Sequence, residues 1–427
     1  MPINVFKQYM YSYPHKTAYQ YTKKLGLKNY QKELNKNPAT LYFHIPFCET
    51  KCGYCNLFSI PNNNSEKIDS YIEALRRHSE SYTNILKFED VHFETLVMGG
   101  GTPLILSIKQ LEKLFHIAQY NFKIDLNKVY ISIETSPNQT CFKKLEFLKS
   151  QNANRISIGI QSFVQTELDM LRRFHSVKQS KAALEHIKKV GFDRVNIDLI
   201  YGINSQTMDS LQFSLEEALL YEPDEIFAYP LYQKPHTAIY KEFDIDRELQ
   251  YRMYFKICEF LRQRGYIQIS MRKFVKQQDL KEMSCGFENM ISLGCGGRSY
   301  IGNLHFSERY TSRKSKCRTY LEKYISRKEF FDNISFYVLN EDEMKRRFLI
   351  KNLLHCKGVD LVEYKNVFKR DLLVDFPMID RFVDEGWVFR RDKKFILTSL
   401  GLSLSDFIGP MLISDDVAKK MEMFCDD

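Results

Sequence analysis

RISIGIQS (155–162), SKAALEHIKKVG (180–191) and RVNIDLIYG (194–202) are three pieces of one short stretch of this chain, and together they decide its fold. The first and last are short β-branched runs. The middle piece places apolar residues three and four apart, the period of a helix with one buried face. Strand, helix and strand in that order form the unit of a parallel sheet, because parallel neighbours need a crossover and a helix is its usual form.

The same unit repeats outward in both directions. Upstream lie LYFHIP (41–46), TLVMGG (95–100) and VYISIET (129–135), and downstream EIFAYPLY (225–232). Between them run helical patterns such as YIEALRRHSESYTNIL (71–86), LEKLFHIAQYNF (111–122) and MDSLQFSLEEALLY (208–221). Six strand–helix repeats predict an α/β fold, a partial (β/α)6 barrel of TIM type, with ligand residues gathered beyond the carboxyl ends of the strands. Cys48, Gly99–Pro103, Glu134, Gln161 and Asp198 all fall at or near those ends.

Four segments are expected. Residues 1–39 form a polar, tyrosine-rich lead that covers the site, 40–274 the barrel, and 275–336 a loop-rich connection carrying SLGCGGRSYIG (292–302). Residues 337–427 read as helices at 341–354, 361–368 and 372–385, two short strands at 387–390 and 394–397, and a closing helix, TSLGLSLSDFI (398–408). This is the order of a winged-helix-like α+β lid domain. The third helix, LLVDFPMIDRFVDEG (372–386), carries four acids and one arginine, the wrong sign for phosphate contact, so no nucleic-acid partner is expected.

The chain has 427 residues and a formal net charge of +9, with Lys and Arg interleaved among acids along its whole length. That pattern is a weak preference for anionic ligands rather than a nucleic-acid tract. There is no apolar run long enough for a membrane span and no secretory leader, which predicts a cytoplasmic protein, expected to be monomeric. Of the ten cysteines, Cys141, Cys258, Cys285, Cys295, Cys317, Cys356 and Cys425 are scattered singly, as reduced thiols would be.

The other three are not scattered. FHIPFCETKCGYCNLF (43–58) spaces Cys48, Cys52 and Cys55 as C-x3-C-x2-C. A structural zinc site closes with four ligands, and the nearest fourth candidate is His44. Three thiolates fit three irons of a [4Fe–4S] cluster, with the fourth iron left without a protein ligand. Spacing alone favours the cluster and leaves zinc or buried structural thiols open.

The motif, with Tyr54 before its last cysteine and a strand ending HIPFC, resembles the radical S-adenosylmethionine (radical SAM) superfamily. Within it, the chain resembles the HemN-like branch of oxygen-independent coproporphyrinogen III dehydrogenase, its related haem chaperones and the class C methyltransferases, over residues 11–413. The resemblance implies a [4Fe–4S] cluster on Cys48, Cys52 and Cys55. It also implies SAM on the open iron, cleaved by one electron to methionine and a 5′-deoxyadenosyl radical, and a low-potential donor such as flavodoxin or ferredoxin.

The resemblance further implies SAM contacts from Gly100, Gly101 and Thr102 of MGGGTP, from Glu134 of an ExxP element ending at Pro137, and from Tyr42 and Tyr54. It places Gln161, Arg173, Asp198 and Pro230 where a second SAM would lie. Buried polar side chains on otherwise apolar strands usually have such a partner.

The family's DLIYGLP-x-QT stands here as DLIYGINSQT (198–207), with Asn204 for proline and the turn held by Gly202 and Gln206. The lead YMYSYPHKTAY (9–19) is similar to the segment that covers substrate in the dehydrogenases. Cys295 stands in the SLGCGGRSYIG element, where a buried structural thiol is the expected role. The departures around Pro230 and Arg298 tilt the expectation to methyl or methylene transfer from a second SAM to a small molecule or peptide. Oxidative decarboxylation of a coproporphyrinogen-type tetrapyrrole is the alternative. A haem-binding chaperone is the reading from another class, with His15, His175, His236, His305 or Cys295 as axial ligand.

Overall fold

The computed structural model describes residues 5–62, 64–276 and 288–424, so Asn63, Cys285 and Cys425 fall outside the described residues. The opening stretch folds as its pattern predicts. Strands Ala153–Gln161 and Arg194–Tyr201 pair in parallel, and helix Val177–Val190 crosses between them. Ser176 starts that helix with a reciprocal capping box to Gln179, and Gly191 ends it at φ 72°, a conformation glycine adopts without penalty.

Strands Ala39–Ile45, Phe93–Gly100, Tyr130–Thr135, Ala153–Gln161, Arg194–Tyr201 and Glu225–Pro230 lie side by side in chain order, all parallel. Both faces are covered, so strand residues such as Leu41, Phe43, Ile133 and Ile197 are fully buried. The arrangement is the expected six-repeat α/β layout, and the sheet stays open rather than closing on itself.

The segment 275–336, expected to be loop-rich, differs. It continues the same sheet: Asn289–Leu293 pairs in parallel with the first barrel strand, followed by antiparallel Arg298–Ile301, Leu304–Ser307 and Asp332–Val338, with helix Lys314–Ser326 between the last two. Gly302 and Asn303 form a two-residue hairpin turn, with Gly302 at φ 58°. The lead then adds its own strand, Gln20–Lys24, at the outer edge beside Asp332–Val338.

The carboxyl-terminal part has the expected order with two breaks. The third helix splits into Leu372–Asp375 and Met378–Asp384 at Pro377, which disfavours a helical residue before it. The closing helix splits into Ser399–Ser403 and Ser405–Met411, and a further helix, Asp415–Glu422, packs on the turn Lys16–Ala18 of the lead. A buried junction fastens these parts. The Arg272 guanidinium and the Tyr232 hydroxyl both donate to Asp406 Oδ2, and the Arg272 cation sits 4.0 Å from the centre of the Tyr9 ring. Among the described residues no helix is long and apolar enough to cross a membrane.

Candidate functional site

At the carboxyl rim of the strands opens a cavity of about 1000 Å3. Its cluster end is built by the loop after the first strand. Cys48 lies on a two-residue strand, Phe47–Cys48, paired with Ile60–Pro61, and the intervening loop presents Cys52 and Cys55. Backbone bonds fix that loop on its outer side: Gly53 N–H donates to the Leu171 carbonyl at 2.9 Å, and Ile239 N–H donates to the Gly53 carbonyl at 3.1 Å. A Cβ on Gly53 would lie 3.1 Å from that same Leu171 oxygen, so glycine is what lets the two backbones meet.

The three thiols lie on one short loop. Burial and the neighbouring Cys55 push the Cys48 thiol up to about 12, and burial with the Cys52 neighbour raises Cys55. A buried neutral thiol needs a metal to become a thiolate ligand. Donors already point at the sulfurs: Arg173 Nη1 lies 3.0 Å from Cys52 Sγ, the Thr102 hydroxyl 3.7 Å from Cys48 Sγ, and the Ser59 hydroxyl 3.6 Å from Cys55 Sγ. Hydrogen bonds of this kind tune cluster sulfurs. A [4Fe–4S] cluster asks for one sulfur at each of three corners, the number that Cys48, Cys52 and Cys55 can supply.

His44, the candidate fourth zinc ligand, is not placed for that role. Its Nε2–H donates to the Phe58 carbonyl at 2.9 Å and its Nδ1 accepts from the Tyr42 hydroxyl at 3.2 Å, so both nitrogens are used. Burial lowers its pKa to about 4, which keeps the ring neutral.

Tyr42, Tyr54, Gly100, Glu134, Gln161, Arg173, Asp198 and Pro230 all line the cavity, together with Cys52 and Cys55. Glu134 faces its interior, accepts from Gly100 N–H at 3.1 Å, and is raised in pKa by its enclosure. Asp198 accepts from Asn196 Nδ2 at 2.7 Å, and burial pushes its carboxyl up to about 7. Gln161 ends its strand at φ 75°, an uncommon backbone for a non-glycine residue. Arg173 also donates from Nη2 to the Gly159 carbonyl, while its Nε is buried with no hydrogen-bond partner.

Cys48, Gly101 and Thr102 stand behind the wall rather than on it. Gly101 N–H donates to the Ile45 carbonyl at 2.7 Å and Thr102 N–H to the Phe47 carbonyl at 2.8 Å. A Cβ on Gly101 would lie 2.5 Å from the Phe47 oxygen and 3.0 Å from Cys48 Sγ, so the close approach made by this glycine is to the protein's own backbone. The turn at Asn204 is kept as expected, with Gln206 Oε1 accepting Gly202 N–H at 2.8 Å. Cys295 is buried, within 3.8 Å of the Tyr71 hydroxyl, and away from the cavity.

The cavity lining also holds residues that sequence reasoning did not assign. Lys16, Lys234, Arg298 and Arg313 are among them, with Tyr9, Tyr11, Tyr232 and Tyr310, and the last helix and the residues just after it bring Met421 and Phe424. Arg298 Nη1 donates to the Ser12 hydroxyl at 2.7 Å, and its guanidinium lies 4.5 Å from the centre of the Tyr11 ring. The signal available was the basic and aromatic character of the lead, without the pairing that folds it onto Arg298.

Of the candidate axial ligands, His15 and His236 line the cavity, whereas His175, His305 and Cys295 are buried elsewhere. His15 has both nitrogens engaged, with Thr17 at 2.8 Å and Tyr11 at 3.1 Å, and burial lowers its pKa to about 3.

Residues 42–218 match the radical SAM superfamily. The chain thus carries a radical SAM domain over that stretch, and it is similar to proteins of HemN and HemW type. It is 26% identical over 375 residues to the heme chaperone HemW of Bacillus subtilis, covering 86% of this chain and 96% of that one. It is 30% identical over 287 residues to the oxygen-independent coproporphyrinogen III oxidase of Escherichia coli, covering 64% and 62%. The solved structure of coproporphyrinogen III oxidase (HemN) from Escherichia coli superposes with a TM-score of 0.80 at 23% identity, over 98% of each chain, which makes the fold the same. The superfamily uses a [4Fe–4S] cluster and SAM.

Proposed function

We propose that the chain is a radical SAM enzyme acting on a carboxylate-bearing substrate of tetrapyrrole size. In this reading Cys48, Cys52 and Cys55 hold the cluster, while Gly100, Glu134, Tyr42 and Tyr54 border SAM. The observation that carries the reading is the charge of the cavity lining. Among the described residues it holds two carboxylates, Glu134 and Asp198, and five cations, Lys16, Arg173, Lys234, Arg298 and Arg313, interspersed with tyrosine rings. A sulfonium and ammonium ligand needs acceptors, and a polycarboxylate needs cations. Two relatives, a heme chaperone and a coproporphyrinogen III oxidase, take their names from tetrapyrroles.

When bound, the cluster and SAM supply one-electron cleavage that yields a 5′-deoxyadenosyl radical. The protein's own part is to orient and to exclude water. Glu134 and Asp198 accept hydrogen bonds, Arg173 holds Cys52, and Tyr11 and Arg298 close the substrate side. A second reading, methyl or methylene transfer with two SAM molecules, is favoured by the orphaned Nε of Arg173 beside Gln161 and Asp198.

The test is anaerobic. Reconstituted protein with dithionite and SAM yields 5′-deoxyadenosine, a porphyrinogen tetracarboxylate raises that yield, and Lys234→Glu removes the rise while leaving iron in place. Iron retained in full by a Cys48→Ala, Cys52→Ala, Cys55→Ala triple variant would overturn the cluster assignment. Tight haemin binding lost in His236→Ala, with no 5′-deoxyadenosine from the unaltered protein, would favour the chaperone.

A further inference from the structure

The lead makes its first turn, Lys16–Ala18, with His15 as the residue that caps it. A cap must accept, because the opening N–H groups of a helical turn have no partner within it. The imidazole does so here: Thr17 N–H donates to His15 Nδ1 at 3.3 Å, with the Thr17 hydroxyl 2.8 Å from the same atom. An Nδ1 that accepts carries no proton. The ring is neutral, since burial lowers its pKa to about 3 and the charges that bear on it, Lys16, Arg298 and Lys234, are all positive. A neutral imidazole keeps one N–H, so its proton lies on Nε2.

That nitrogen lies 3.1 Å from the Tyr11 hydroxyl, so Nε2–H donates and the phenol oxygen accepts. The phenol's own proton must then point away from His15. Among the described residues the Tyr11 hydroxyl meets no second hydrogen-bond partner. Tyr11 lines the central cavity, as do Lys16, Arg298 and Lys234, and the Arg298 guanidinium lies 4.5 Å from the centre of its ring. A hydroxyl that already accepts one hydrogen bond donates a stronger one, because bonds in a chain polarise each other.

We infer that the Tyr11 hydroxyl, with Arg298 beside it, is a recognition site for a carboxylate of the cavity ligand, and that His15 is the positioning residue that aims the phenol proton at it. This rests on the carboxylate-bearing substrate proposed above. A carboxylate offers only lone pairs, and the phenol proton and the guanidinium offer only donors. A neutral amide in the same place would accept a weaker bond from each.

The experiment titrates the cluster-loaded protein, kept anaerobic, with coproporphyrin III, a stable tetracarboxylate, and with its tetra-amide, and reads porphyrin fluorescence. The acid should bind more tightly than the amide. Tyr11→Phe keeps the ring and removes only the proton donor, so it should weaken binding of the acid about ten- to a hundredfold and that of the amide by less. His15→Gln, which can still accept at the turn and donate to the phenol, should retain more affinity for the acid than His15→Phe. Nitrogen-15 NMR of the ligand-free protein at pH 7, with the His15 signals assigned by their loss in His15→Gln, should show the proton on Nε2. A proton on Nδ1 would overturn the inference. So would equal affinity of Tyr11→Phe and the unaltered protein for the acid, or a His15→Gln variant no better than His15→Phe, and each of these leaves the substrate reading standing. An unaltered protein that binds acid and amide alike would instead sink the substrate reading, and this inference with it.

Discussion

Replacing Asp198 by Asn should change the way stability depends on pH. Burial raises this carboxyl from 3.8 to about 7, with Glu134 adding to the rise and Asn196, Arg155 and Arg173 opposing it. The folded chain therefore keeps a proton that the unfolded chain releases. Stability from this group is whole below the unfolded value near 4 and is lost as pH climbs through 7. At about 1.36 kcal/mol per pH unit, the loss is about 1.7 kcal/mol at pH 5 and about 4 kcal/mol at pH 8. Asn cannot ionise, and its carbonyl still accepts from Asn196. The variant should gain on the unaltered protein by about 2.5 kcal/mol between pH 5 and pH 8. Guanidinium titrations at the two pH values, with equal slopes, would read that difference in the midpoints. A gap that stays constant within about 0.5 kcal/mol, or shrinks with rising pH, would refute the argument that Asp198 is a buried acid held near neutrality.

Two further outcomes follow from packing. Gly101→Val should lose iron and lower the melting temperature together, at a cost of about 2–4 kcal/mol, because the new side chain meets the Phe47 carbonyl and Cys48 Sγ rather than a ligand. An iron-replete variant that fails only in SAM binding would show the cramped space to be the ligand's after all. Asp406→Ala should cost about 3–5 kcal/mol by leaving Arg272 buried without its counterion, and Asp406→Asn less, both read by denaturant midpoint.

The barrel was legible because each of its units is local. A β-branched run, a capping serine, a helical stripe and a glycine stop, as at 155–202, specify a crossover without reference to the rest of the chain. The cysteine loop was legible for the same reason. The strands from 289 to 338 were not, since the glycines of SLGCGGRSYIG obscure their alternation and their partners lie far away, in Ala39–Ile45 and in the lead.

The rest of the cavity lining suffers likewise. Lys16, Arg298 and Phe424 come from three distant parts of the chain, and only folding shows that they share a space. Gly101 and Thr102 pose the opposite case. The motif containing them was visible, but whether its backbone serves a ligand or its own neighbours depends on hydrogen bonds to Ile45 and Phe47 that no spacing reveals.

The aromatic stretch 9–19 is tied down at both ends. On one side Gln8 N–H donates to the Asp406 carbonyl at 3.2 Å and Tyr9 lies on Arg272; on the other, Gln20–Lys24 is woven into the sheet edge. Midway, the Tyr13 hydroxyl bonds Glu343 and accepts from Ser414 N–H. A strap anchored at three points is a fixed roof beam, and lifting it would mean unzipping sheet hydrogen bonds. Phe424 and Tyr310 meet beside it, 5.9 Å between ring centres. Lining residues carried on such a strap are held by contacts outside the cavity, so their positions are set by the fold rather than by what the cavity holds.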